Sequence, residues 1–98
     1  MEKLPLTFKK DQFDYKQIMR DDEKALYAQG YASSDGKTFD IVAYEVIKIR
    51  QQKANTVSIG GVDVEFKEKE LYPSSEQWGM FGWTFLKLEN AKQRYDVI

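Results

Sequence analysis

The stretch TVSIGGVDVEF, residues 56–66, limits the possible folds of this chain more than any other. Gly60 and Gly61 supply the two positive-φ positions that a two-residue hairpin turn demands. Around them Val57, Ile59, Val62, Val64 and Phe66 alternate with polar residues. Pairing about the turn sets Ile59 opposite Val62 and Val57 opposite Val64, so the apolar side chains share one face, expected to be the dry side of an antiparallel sheet.

Other segments extend the same reading. In residues 12–20, Phe13, Tyr15 and Met19 fall on one face and Asp14, Lys16 and Arg20 on the other, with Ile18 breaking the alternation. The charged run Asp21, Asp22, Glu23, Lys24 suits a hairpin tip, and a strand over residues 25–32 would return with Leu26 facing Met19. A helix capped by Asp22 over residues 24–29 is the competing reading, since Ala and Leu favour helix; Gly30, Tyr27 and Tyr31 weigh towards strand. Asp35-Gly36 marks the next turn. Residues 38–51 then carry apolar side chains on both faces, as in a central strand covered from two sides or one bulged near Glu45.

After the diglycine hairpin, residues 67–70 (KEKE) read as a strand arm running into solvent or along an edge, and Pro73 ends it. Ser74 with Gln77 forms a helix-start signal that Gly79 stops after about one turn. A short aromatic strand over residues 80–86 leads to a helix over 87–96, where Leu88, Ala91 and Tyr95 make one stripe. Residues 1–11 read as an arm, partly loose, with Leu4, Leu6 and Phe8 alternating. The expectation is an α+β fold: a mainly antiparallel meander sheet of about five strands, a one-turn helix, and a C-terminal helix packed on the sheet.

A chain of 98 residues holds one core, so residues 1–98 read as a single domain. Lacking cysteine and histidine, it has no thiolate chemistry, no Cys-type zinc site and no side chain suited to proton transfer near neutral pH. No glycine-rich phosphate loop or activated serine compensates, so the sequence argues against an enzyme and implies no cofactor and no metal. Fifteen basic against sixteen acidic residues give no global field to attract nucleic acid or acidic lipid. With no run of about 18 apolar residues and no secretory pattern, a cytoplasmic location without membrane contact is expected.

Interaction is the remaining class of function. Lys48, Arg50 and Lys53 form a local basic concentration, and Tyr27, Tyr31 and Tyr44 would project beside them if their strands share a face. Aromatics that stack bases next to cations are how open sheets hold single-stranded nucleic acid. Against that stand the net charge of −1 and the lack of an RNP-like motif. Residues 72–85 hold Trp78, Phe81, Trp83 and Phe85; Trp83 and Phe85 read as core under the helix, whereas Trp78 could equally anchor a partner. Asp21, Asp22 and Glu23, like Glu65, Glu68 and Glu70, read as solvated charge. The leading expectation is a non-catalytic accessory domain that binds another protein or forms a homodimer. The alternative is nucleic-acid binding through Tyr27, Tyr31, Tyr44, Lys48 and Arg50.

The order YEVIKIR (44–50), ELYPSSEQWGMFGWTF (70–85) and LENAKQRY (88–95) resembles small proteins of phages and bacterial mobile elements that lack an assigned activity. In that group a YEV strand precedes a YPS turn, a WTF-like strand and a short helix. The resemblance covers the C-terminal half of the chain; it implies a compact accessory protein and carries over no functional residues.

Overall fold

The alternation and turns produce nine strands in the computed structural model, which describes residues 2–98. In chain order they are β1 (Thr7–Lys10), β2 (Phe13–Arg20), β3 (Lys24–Ala32), β4 (Phe39–Lys48), β5 (Arg50–Gln52), β6 (Asn55–Ile59), β7 (Val62–Phe66), β8 (Lys69–Leu71) and β9 (Gly82–Phe85). A single helix, α1 (Leu88–Val97), ends the chain. Five strands make one antiparallel sheet in the order β1-β2-β3-β4-β9, while β5-β8 and β6-β7 form separate two-stranded pairs. This is the expected α+β class.

The centre of the sheet follows from its pattern. Residues 24–29 are strand, and the charged tip places Met19 opposite Leu26. Ile18 is the extra residue of a bulge, because Gln17 pairs with Tyr27 and Met19 with Leu26. On β4 a second bulge sits at Val42, since Ala43 pairs with Gln29 and Ile41 with Gly30; the bulge expected near Glu45 lies three residues earlier.

β4 is buried from both sides. On one face Ile47 joins Tyr15, Ala25, Tyr27 and Leu4, covered by Phe8, Tyr72 and Trp78. On the other, Val46 and Leu26 meet Ala91 of α1, flanked by Tyr44, Phe85, Leu88 and Tyr95. The helix stripe therefore packs as its spacing requires. Arg94 lies over the half-buried Trp83, 4.9 Å from the ring centroid. Ser75–Gln77 forms one 3-10 turn, where the Ser74 N–H donates to Gln77 Oε1 at 3.0 Å.

Three expectations need correction. The diglycine hairpin has the expected register, but its apolar face is not the dry side of the sheet: Ile59 is 58% and Val62 64% exposed, and neither core cluster includes a residue of β6 or β7. Second, β7 stops at Phe66; Lys67 and Glu68 are exposed as expected, but Lys69–Leu71 pairs with β5 and carries Glu70, expected as solvated charge, inside. Third, the N-terminal segment is not loose. β1 pairs along β2, Leu4 is buried, and the Leu4 N–H donates to Glu70 Oε1 at 2.9 Å.

Candidate functional site

The residues nominated from the sequence do not share a face. Tyr27 pairs across the sheet with Glu45 and Tyr44 with Ala28, so the two tyrosines point to opposite sides. Tyr27 is fully buried; its hydroxyl donates to the Pro5 carbonyl at 2.7 Å and accepts from Gln17 Nε2 at 3.0 Å. It is a core residue, not the accessible platform expected. Tyr44 is half-buried beside α1. Tyr31 is half-exposed, its ring 5.3 Å from Phe13.

Lys48 and Arg50 are exposed and line a cavity of about 520 Å³ together with Glu23 and Lys24. The Arg50 guanidinium lies 4.7 Å from the Phe81 ring centroid. No nominated tyrosine borders that cavity. Trp78 is half-buried, stacks on Tyr72 at 6.4 Å, and donates its indole N–H to Thr84 Oγ1 at 3.0 Å. Gly82 makes room for it, because a Cβ there would collide with the Trp78 ring.

Beside Trp78 lies the most concentrated chemistry in the molecule. Phe8, Tyr15, Tyr27 and Tyr72 form an aromatic cluster with ring separations of 4.6 to 6.2 Å. Glu45, on the apolar face of β4 between Ala43 and Ile47, is buried against it and accepts the Tyr72 hydroxyl at 2.5 Å. Burial pushes the Glu45 carboxyl above its ordinary value, opposed by the Tyr72 hydrogen bond and the field of Lys10. Burial and the neighbouring carboxylate together hold the Tyr72 phenol far above its usual range.

A second carboxylate, Glu70, is in the opposite condition. It takes a two-pronged contact from Arg20, at 2.5 and 2.8 Å, as well as the Leu4 N–H. The Arg20 guanidinium is the main reason its pKa falls to about 2. At the first hairpin tip, Asp21 Oδ1 accepts the backbone N–H groups of Glu23 and Lys24 at 2.7 and 2.8 Å, a turn-stabilising role.

No family model, curated protein or solved structure matches this chain. Its chemistry has to be read from its own geometry. Among the described residues no group of three or more acidic side chains could hold a metal ion, and no helix is long and apolar enough to cross a membrane.

Of the two buried carboxylates, Glu70 is fully paired and serves the fold, whereas Glu45 has no cation in contact. A buried charge in that state costs stability. Because its pKa is raised on folding, the penalty is present at neutral pH and is relieved as pH falls through the raised value. Glu45→Gln keeps an oxygen to accept the Tyr72 hydroxyl and removes the charge. Urea denaturation at pH 7 is expected to show stability equal to wild type or up to ~1 kcal/mol higher. A loss of about 2 kcal/mol or more would mean that the charge itself holds this part of the fold.

Proposed function

We propose that this chain is a small, non-catalytic accessory domain that acts by binding protein through the apolar side of the β6–β7 hairpin, with a second copy of itself as partner. One observation carries the reading. Val57, Ile59, Val62, Val64 and Phe66 share one face of a hairpin that joins neither core cluster, while Thr56, Ser58, Asp63 and Glu65 take the other face. An isolated two-stranded hairpin is marginal in water, so covering this face stabilises the element as well as the contact.

Two copies related by a two-fold axis present the same face to each other, which is the simplest way to hide both. The contact is small. Strands of five residues span about 17 Å and two strands about 10 Å, so the covered area falls well below the roughly 800 Å² per partner of a stable interface. Pairing is therefore expected to be weak, with Kd on the order of 0.1 mM.

Sedimentation equilibrium tests this directly. The apparent mass of the wild type should climb towards twice the monomer value with concentration, whereas Ile59→Lys with Val62→Lys should stay monomeric and keep its circular dichroism spectrum. A wild type that stays monomeric into the millimolar range would remove self-pairing. Oligonucleotide binding that falls steeply with salt would instead favour the Lys48 and Arg50 surface and displace the protein-binding reading.

A further inference from the structure

Between the β1–β2 turn and the 3-10 turn at Ser75–Gln77 lies a cavity of about 350 Å³ that includes no residue of the hairpin. The rings of Phe13, Tyr15 and Trp78 line it, and all three belong to or pack against the aromatic core cluster. Glu45 lines it too, although the residue is only 8% exposed. One carboxylate oxygen, Oε1, is taken by the Tyr72 hydroxyl. The other has no hydrogen-bond partner among the described residues. Among the described residues no side-chain polar atom sealed from solvent lacks a partner, so Oε2 reaches solvent, and the cavity is the opening that Glu45 lines.

Of the remaining polar lining, Asp11 and Gln29 have the same character. Gln29 gives its Nε2 hydrogen to the Tyr15 hydroxyl at 2.8 Å, which leaves Gln29 Oε1 as an acceptor. A carboxylate oxygen, an amide oxygen and aromatic faces are all electron-rich groups, and they favour a ligand that is positively charged and rich in donors. The volume is at the small end of ligand cavities, which suits a group the size of a basic side-chain terminus better than a nucleotide.

The protein's own cation supports this reading. Lys10 lines the same cavity, its Nζ stands 5.7 Å from the Tyr72 ring centroid, and its field acts on Glu45. It nevertheless makes no ion pair with Glu45; the ion pairs among the described residues involve Glu70 and Asp14. Lys10 shows that positive charge is tolerated at the mouth, and it leaves the buried carboxylate without a counter-ion in contact.

The geometry points to a binding site for an organic cation, an alkylammonium or guanidinium group, with Glu45 as counter-ion and the Phe13, Tyr15 and Trp78 rings as walls. The cation supplies the charge that Glu45 lacks, and the rings exclude water from the contact. Lys10 then acts as an internal competitor that an arriving cation displaces.

Titrating the isotopically labelled full chain with butylammonium chloride tests the site by nuclear magnetic resonance. The Trp78 indole N–H and the Gln29 side-chain amide should shift saturably, whereas butanol and sodium chloride should not move them. Glu45→Gln should weaken binding about tenfold or more through loss of the charge-assisted contact. Lys10→Met, at an exposed position, should tighten binding about threefold by removing the competitor. Saturation by a blocked Gly-Lys-Gly peptide as well as by butylammonium assigns the cation to a protein side chain; saturation by butylammonium alone assigns it to a free amine. Equal shifts with butanol, or weaker binding in Lys10→Met, would overturn the assignment, as would undiminished affinity in Glu45→Gln. None of these outcomes depends on whether the hairpins pair.

Discussion

Replacing Arg20 by methionine will lower the unfolding free energy at pH 7 by about 3 kcal/mol or more, because it strands a buried carboxylate. Glu70 has a side chain 1% exposed, and Arg20 holds it through two nitrogens at 2.5 and 2.8 Å. Lys3, 3.7 Å away and mostly in solvent, is too exposed to replace it. The effect has a defined pH course. Folding lowers the Glu70 pKa from 4.5 to about 2, so its contribution is fully present above 4.5 and is lost as pH falls towards 2. A shift of that size corresponds to roughly 3 kcal/mol. Urea denaturation should therefore show a wide gap between Arg20→Met and wild type at pH 7 that narrows in acid. A gap that keeps its full width at pH 2.5 would mean that Arg20 stabilises by packing and not by pairing. The same pair anchors the N-terminus through the Leu4 N–H, so the Leu4 amide should exchange faster in the variant.

Local order was legible wherever turn chemistry and alternation cooperated. The Gly60-Gly61 turn, the pairing of Met19 with Leu26, the 3-10 turn after Ser74 and the stripe of α1 all follow from spacing within a few residues. What spacing cannot convey is which elements become neighbours. The β6–β7 register is local and came out as expected, but whether that hairpin joins the main sheet depends on the path of the chain from β4 through β5. The KEKE stretch fails for the same reason. Its alternating charge resembles a solvated edge, yet one carboxylate is satisfied by an arginine 50 residues earlier in the chain.

The candidate site was legible in one of its parts. Trp78, a candidate by sequence, borders the cavity; Tyr27, Tyr31 and Tyr44, expected on one face, are divided by the β3–β4 register. Glu45 did leave a signal, since it interrupts an inward row of Ala43 and Ile47 at a position where an apolar residue belongs. A charge in such a row means either a bend or a buried carboxylate; the sequence leaves open a strand covered from two sides or one bulged near Glu45, and the structure buries Glu45 on a strand covered from both sides. Tyr72 left none: its hydroxyl meets Glu45 across 27 positions of chain, a contact set by the tertiary fold and not by local spacing. A carboxylate kept inside at a cost to stability, beside a cavity, has the character expected of a functional residue.

Gly30→Ala separates two reasons for a glycine in a strand. On intrinsic preference alone, alanine should stabilise β3, since glycine in a strand interior costs roughly 0.5–1 kcal/mol. The structure predicts the opposite sign. Gly30 is buried beside the Val42 bulge of β4, and a Cβ there would fall on the Asp40 carbonyl oxygen, 2.8 Å from its carbon and 3.0 Å from the Ile41 Cα. These are backbone atoms, which cannot rotate away as a side chain would. Accommodating the methyl group means parting β3 from β4 in the pair that forms the centre of the sheet. A loss of about 3 kcal/mol is expected in chemical denaturation, with faster amide exchange at Tyr31 and Ala32, where β3 pairs with the start of β4. Unchanged or increased stability would show that the bulge yields. Gly30 would then not owe its place to the close approach of a neighbouring backbone.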